Sequence, residues 1–328
     1  MIAVTAAVAC SDTTRPESAS DGRRVLADIP PATPVCDYTY PDARTMSLVA
    51  DCWTDTTLYI PNNFTFEGNG HVINVADPVA GHFTGAVLEA LGDSANVYDV
   101  TIRGHDMFNI PMIYVENLRP GHGTAHVSVF GKTIERYIKH GIGVFGNVSA
   151  KVEQNTIIGW GLQPLQLQYS IEMSGVPDGL IARNTITGGN RCDGDGGDWG
   201  GAIISDSGSH IVYRKNVVSG SQIGIRANKN VNAVIDSNTV TGPARAVCPS
   251  FISPGDPCSF GIWISGSGNV VNDNDVTSVD YGIYLGHMYF HQTVSNTTGT
   301  RNSFTHVAAQ KIVVSEPERA ARTSRAPL

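Results

Sequence analysis

One short phrase recurs between Gln154 and Thr305. It reads Asn155-Thr-Ile-Ile-Gly159, Asn184-Thr-Ile-Thr-Gly188, Asn216-Val-Val-Ser-Gly220, Asn238-Thr-Val-Thr-Gly242, Asn274-Asp-Val-Thr-Ser278 and, more faintly, Asn302-Ser-Phe-Thr305. Self-similarity at a period of 20–50 residues marks stacked supersecondary units. The Asn-to-Asn steps are 29, 32, 22, 36 and 28 residues, so the bare unit is the one from Asn216 to Asn238.

A second marker, a small residue followed by Ile and an outward residue, shows where the extra residues go. It occurs at Gly141-Ile142-Gly143, Ser170-Ile171-Glu172, Ala202-Ile203-Ile204, Gly224-Ile225-Arg226, Gly261-Ile262-Trp263 and Gly282-Ile283-Tyr284. From marker to following Asn the distance is 14, 14, 14, 14, 13 and 20 residues; from Asn to next marker it is 15, 18, 8, 23 and 8. One segment is nearly constant and the other absorbs the insertions, as in repeat folds whose loops map to one face.

Strands of four to six residues without helical period, closing a unit near 22 residues, predict an all-β fold: a single parallel β-helix of stacked coils. Neighbouring coils would lie ~4.8 Å apart. Ile142, Ile171, Ile203, Ile225, Ile262 and Ile283 would form one inward column, and Ile157, Ile186, Val218, Val240 and Val276 another. The Asn residues would align at a turn, with side-chain amides bonding along the stack. Two further coils are suggested around Val100–Gly104 and Lys132–Glu135, since Lys132 precedes Asn155 by 23 residues.

Charged residues make up only 16% of the chain and Gly 35 of its 328 residues, which suits a turn-rich β protein. The net charge of −8 comes with no basic stripe and argues against a nucleic-acid partner. No run of 18 apolar residues exists, so no transmembrane helix is expected. Residues 1–28 read as a signal or lipoprotein-like segment and tether: MIAVTAAVAC fits either a lipoprotein signal with Cys10 as the lipidated, membrane-anchoring residue or a clipped ordinary signal peptide. The protein is therefore expected to be secreted or at the cell surface. Residues 29–314 are the β-helix domain with an N-terminal cap, and 315–328 a polar, basic, disordered tail. Cys36 with Cys52, and Cys248 with Cys258, would each close a local loop, leaving Cys192 odd. None has the paired spacing of a zinc site.

The segment Thr54–Ile73, two strands joined by the Asn-rich turn Pro61-Asn62-Asn63, together with the Asn repeats after it, resembles a group of secreted bacterial right-handed parallel β-helix repeat proteins of pectate-lyase-like architecture. The resemblance spans Cys52 to Thr305 and implies a fold without one defined activity. Gly121-His122-Gly123 matches a motif of polygalacturonase-type β-helix hydrolases, but the paired aspartates that precede it in that family are missing, and the match is treated as chance. The Arg-rich signature of pectate lyases is absent too.

Alternate strand residues face outward. Counting from the marker, the outward sheet collects Glu172, Asp206, Arg226, Asn228, Trp263 and Tyr284, with insertion loops 160–169, 189–200 and 242–260 walling it into a groove. Carboxylates, a guanidinium and large aromatics side by side suit a polysaccharide or oligosaccharide partner: rings stack on pyranoses, and carboxylates accept hydroxyl hydrogens or move protons. Glu172 and Asp206 fall on adjacent coils, two positions apart, with backbones ~8 Å apart, a separation open to either geometry of glycoside hydrolysis. Arg226 would instead hold a uronate for β-elimination or C5 epimerisation. The catalytic candidates are thus Glu172, Asp206 and Arg226, and the substrate-binding candidates Trp199, Asn228, Trp263, Tyr284 and His287. The blander reading of this face is ordinary surface residues plus aromatics packed under loops.

The loop Asp193-Gly-Asp195-Gly-Gly-Asp198-Trp199 places three carboxylates in six residues, with glycines that let the backbone wrap, and suits Ca²⁺; it lacks the twelfth-position Glu of an EF-hand. Asp and Gly are equally common turn formers. Two functions follow: a secreted carbohydrate-active enzyme (lyase, epimerase or glycoside hydrolase) working in the groove, or a non-catalytic glycan-binding or structural surface module.

Overall fold

The computed structural model describes residues 34–313, apart from 79–82, 84, 92–93, 106–110, 118–123, 138–139, 160–168, 189–200, 244–258 and 287–293. Three sheets of 11, 11 and 10 strands run the length of the molecule. Each coil contributes one strand to each sheet in turn, as in His140–Gly146, Val148–Glu153 and Thr156–Gly159. Apart from an N-terminal hairpin, neighbours in every sheet belong to successive coils and pair in parallel. This is the parallel β-helix that the repeat predicts.

Both inward columns form. Ile142, Ile171, Ile203, Ile225, Ile262 and Ile283 are in register down the first sheet, each at most 6% exposed. Ile157, Ile186, Val218, Val240 and Val276 do the same in the third sheet, extended by Ile73, Ile102 and Ile134 upstream. Burying one such side chain contributes about 1.5–3 kcal/mol, and the columns repeat that gain in every coil.

The Asn ladder forms at the corner between the second and third sheets. Asn155 Nδ2 donates to Asn184 Oδ1 at 2.8 Å, and the chain continues through Asn216, Asn238, Asn274 and Asn302, each step 2.9 Å. Each Oδ1 also accepts the backbone N–H of the Asn before it. The second amide hydrogen goes to a second-sheet carbonyl: Val129, Val152, Ile181, Tyr213, Ile235 and Val271 in turn. The residue before every ladder Asn is left-handed: Gln154, Arg183, Lys215, Ser237, Asp273 and Arg301 have φ of 55–57°. That conformation is costly without a glycine. Here it turns the chain sharply, and the buried amide beyond it holds the turn. The constant length from marker to Asn is the run through a first-sheet and a second-sheet strand up to this corner.

The variable connection runs from the third sheet to the first. In the bare unit Ser219 is followed by the next first-sheet strand at Ile223. Elsewhere the insertions 160–168, 189–200 and 244–258 fall at this same place, and 287–293 falls after the first-sheet strand Tyr281–Leu285, all outside the described residues. At the N-terminal end an antiparallel hairpin, Tyr38–Asp42 with Thr45–Leu48, forms the edge of the second sheet. The expected Cys36–Cys52 disulfide ties this cap to the first coil. Cys10, Cys192, Cys248 and Cys258, the two terminal segments, Asp193, Asp195, Asp198, Trp199 and His287 lie outside the described residues. Among the described residues no helix is long and apolar enough to cross a membrane.

Candidate functional site

The outward face of the first sheet carries two rows of side chains. One runs Glu89, Tyr114, Gly143, Glu172, Ile204, Arg226, Trp263, Tyr284, and the other Glu116, Phe145, Ser174, Asp206, Asn228. The register matches the expectation: Glu172 lies opposite Ile204 and Asp206 opposite Ser174, so the two carboxylates sit on adjacent coils two positions apart, with Arg226 one coil further on.

The face nevertheless divides into two unlike halves. In the later coils the expected open platform is packed. Arg226, Asn228, Trp263 and Tyr284 are all buried, none more than 5% exposed. Trp263, Tyr284, Phe260 and Ile223 form an apolar cluster of their own on the outside of the sheet, with Tyr281 against it. The Trp263 ring stacks edge-on with Tyr284 at 5.2 Å, and its Nε1 donates to Gly286 O at 2.7 Å. The Arg226 guanidinium lies 5.2 Å over the same ring, a cation–π contact. Ser265 Oγ donates to Asn228 Oδ1 at 2.8 Å, beside a break in the strand register. These side chains serve packing: neither the two rings nor the guanidinium is displayed to a ligand. Asp206 is exposed, but it faces Ser207 Oγ at 2.9 Å and Lys229 Nζ at 4.0 Å, an ordinary surface arrangement.

The earlier coils bring together a different set. Glu172 Oε2 takes a hydrogen bond from His140 Nε2 at 2.6 Å, and its Oε1 another from Ser174 Oγ at 3.0 Å. His140 is buried, stacked on Tyr169 at 5.6 Å and tilted against Phe145 at 5.8 Å. Phe145 also meets Tyr114, ring to ring at 5.1 Å. Gly143 makes this possible: a Cβ there would stand 2.7 Å from the Phe145 ring. The ring therefore folds back over the bare backbone between Tyr114 and Glu172.

Tyr114 is the centre of the cluster. Its hydroxyl donates to Glu116 Oε2 at 3.2 Å. Burial pushes its pKa well above the ordinary tyrosine range, and the negative charges of Glu116, Glu89 and Glu172 push it further. Glu89 is raised as well, first by burial and then by the charge of Glu116, although a bond from the Ala86 backbone N–H pulls the other way. Glu116 thus holds the phenol, with Glu89 one coil before it and Glu172 two coils after it in the same row, on a partly exposed face beside an imidazole and a folded-over ring. Among the described residues no group of three His, Cys, Asp or Glu is arranged to hold a metal ion.

Of the expected catalytic residues, then, Glu172 joins a cluster, while Asp206 and Arg226 stand apart from it. Glu89, Tyr114 and Glu116 were missed because the small-Ile marker fails upstream, where Met112 and Val87 occupy the small residue's place; His140 and Phe145 lie on the coil of the intact Gly141-Ile142 marker, and nothing in their spacing singles them out. Extending the register back from Ile142 through Ile113 to Leu88 places Glu89 and Tyr114 in the same row as Glu172.

Residues 121–315 match the model of the right handed beta helix region family. That span exceeds half of the 328-residue chain. The chain belongs to the right-handed β-helix family. No curated protein matches it in sequence. Among solved structures it is similar to the catalytic domain of a GH87 α-1,3-glucanase in complex with tetrasaccharides (TM-score 0.48, 11% identity, covering 84% of this chain and 62% of that one). It is also similar to a polygalacturonase from Erwinia carotovora ssp. carotovora (0.39, 10%, 78% and 87%) and to the A-module of a mannuronan C-5 epimerase from Azotobacter vinelandii (0.27, 10%, 83% and 87%). The chain spans less than two thirds of the glucanase domain's length.

Proposed function

We propose that this β-helix is a carbohydrate-active enzyme that hydrolyses a polysaccharide lying across the early coils of the first sheet. The observation that carries the reading is the placing of Glu89, Glu116 and Glu172 along neighbouring coils of one partly exposed face, with Glu116 bonded to the Tyr114 hydroxyl. Glycoside hydrolysis needs one carboxyl that holds a proton and one that does not. Glu89, raised by burial and by its neighbour's charge, suits the acid that protonates the leaving oxygen. Glu116, one coil and two positions from Glu89, suits the carboxylate that activates water or attacks the anomeric carbon, while Glu172, three coils from Glu89 and held by donors from His140 and Ser174, suits holding the glycan beside them. Tyr114 and Phe145 supply a ring surface for a sugar.

Elimination or epimerisation is less well supported. Both need a cation to neutralise a uronate, and Arg226 is committed to Trp263. Export fits the Cys36–Cys52 disulfide. The test is a panel of neutral, anionic and amino polysaccharides, followed by reducing-end release and by the ultraviolet absorbance of unsaturated products. New reducing ends that fall sharply in Glu89→Gln and Glu116→Gln, with no absorbance rise, support hydrolysis. An absorbance rise instead points to a lyase, and glycan binding without turnover to a binding module.

A further inference from the structure

The two ends of the solenoid are unlike. At the first, the hairpin Tyr38–Asp42 with Thr45–Leu48 closes the second sheet, and a disulfide ties it to the coil beneath. At the last, the three sheets stop at Thr298–Thr300, Ser303–Thr305 and Ala309–Val313, and no described strand pairs with their outer edges. An open edge of this kind is a template for a further strand.

The hydrogen-bond pattern is cut off at the same place. The left-handed residues Gln154, Arg183, Lys215, Ser237 and Asp273 each donate their N–H to a second-sheet carbonyl of the following coil. Every ladder Asn from Asn155 to Asn274 gives its N–H and one Nδ2 hydrogen to the next Asn. Arg301 and Asn302 are the last such pair, and among the described residues nothing receives the same hydrogens. The core is open there too. The inward column Ile181, Tyr213, Ile235, Val271 ends in Gly299, which has no side chain to continue it. A cavity of about 240 Å³ lies there, lined by Val271, Ile283, Leu285 and Phe304, and in its wall the Thr297 hydroxyl is buried without a hydrogen-bond partner.

Residues 314–328 follow directly in sequence, and their spacing supplies what is missing. In the bare unit Gly224 is followed after 10–12 residues by the second-sheet strand Val234–Asp236, after 14 by Asn238 and after 15–17 by the third-sheet strand Thr239–Thr241. In the last first-sheet strand Gln310 holds the place of Gly282, and so of Gly224. The same count from Gln310 sets Ala320-Ala321-Arg322 beside Thr298–Thr300, Ser324 beside Asn302 and Arg325-Ala326-Pro327 beside Ser303–Thr305. Ala321 and Ala326 fall at the two inward positions, small and apolar, next to Gly299 and Phe304. A serine hydroxyl at the ladder place can accept from Asn302. Arg322, Arg325 and Pro327 blunt the new edge, since charge and a missing N–H both discourage a further strand.

We infer that residues 314–328 close this end of the solenoid as a final coil, laid over Gly299 and Phe304 and joined to the ladder at Asn302. The inference stands apart from the catalytic reading. It gives the segment whose composition reads as a disordered tail a partner within its own chain.

The experiment is hydrogen exchange, read by mass spectrometry on peptides covering Thr297–Thr305, in the full chain and in a chain ending at Val313. The full chain is expected to exchange there about tenfold more slowly, the protection one added hydrogen bond gives. A synthetic 314–328 peptide added to the shortened chain should restore the protection. Ala321→Asp, which sets a charge over the cavity, should lose it in the full-length protein, whereas Arg322→Lys keeps it. Unchanged exchange between Asn184 and Asn238 shows that the rest of the solenoid is intact; if the shortened chain does not fold, the comparison of Ala321→Asp with the unmutated protein decides. Equal exchange in the compared chains overturns the inference. Protection that rises with protein concentration also overturns it, and assigns this end to a second copy.

Discussion

His140 Nε2 meets Glu172 Oε2 across 2.6 Å, joining two neighbouring coils of the first sheet. The two side chains are 7% and 15% exposed, so the contact is shielded from solvent. A short, shielded bond to a carboxylate fixes the orientation of the acid more firmly than surface pairing does. His140→Phe keeps the stacking on Tyr169 but removes the donor. Glu172 then loses a donor, and stability is expected to fall by about 2 kcal/mol, read from denaturant midpoints at constant m-value. Turnover should fall by about 10- to 100-fold if Glu172 acts on the substrate. Wild-type turnover in this variant would make the pair purely structural.

Glu116 controls the acid across from it. Its negative charge is one cause of the raised pKa of Glu89. A group that must hold a proton to work sets the high-pH limb of the activity profile. In Glu116→Gln that charge is gone, the pKa of Glu89 falls, and the high-pH limb of the residual kcat/KM should move to lower pH. A limb that stays in place or moves up would remove Glu89 from the acid's role.

Much of this architecture was legible because the repeat is written in the side chains that face inward. Ile142 to Ile283 and Asn155 to Asn302 each have one stereochemical task, repeated in every coil, so spacing alone reveals them. The left-handed residues before each Asn were not legible, since Gln154, Arg183 and Lys215 share nothing but a backbone angle. The outward face was readable as a list but not as an environment. Trp263 and Tyr284 stand in the row that was expected, yet packing with Phe260 and Ile223 takes them out of reach. The acidic cluster escaped because its coils replace the small marker residue by Met112 and Val87.

Asn216 shows how much the corner depends on one amide. Its Oδ1 accepts both the N–H and the Nδ2 of Asn184, and its Nδ2 donates to Asn238 Oδ1 and Ile181 O, all in a fully buried setting. Asn216→Ala strands donors on one side and acceptors on the other. Each buried unsatisfied group costs about 1–3 kcal/mol, so a total near 4 kcal/mol is expected, larger than for Thr187→Ala on the exposed third-sheet surface. Comparable urea midpoints for the two variants would show that the ladder decorates the fold without holding it.

Lys132 occupies the ladder position one coil before Asn155, and its backbone N–H donates to Asn155 Oδ1 at 2.9 Å. Its side chain is buried, and Nζ has no hydrogen-bond partner. Burial lowers its pKa from 10.5 to about 7, despite the opposing charges of Asp99 and Glu67. Between pH 7 and 10.5 the unfolded chain therefore holds a proton that the folded chain has released. Stability contributed by this site rises with pH across that window and is flat below it. Lys132→Asn removes the buried amine and supplies an amide that meets Asn155 Oδ1 on one side and the Val97 carbonyl on the other, the place that Val129 O takes for Asn155. The variant is expected to be more stable by about 2–3 kcal/mol at neutral pH, with the gap narrowing toward pH 9.5. Urea unfolding of both proteins at several pH values between 6 and 9.5 checks this; a gap that stays constant or widens with pH would mean that Lys132 keeps its proton in the folded state.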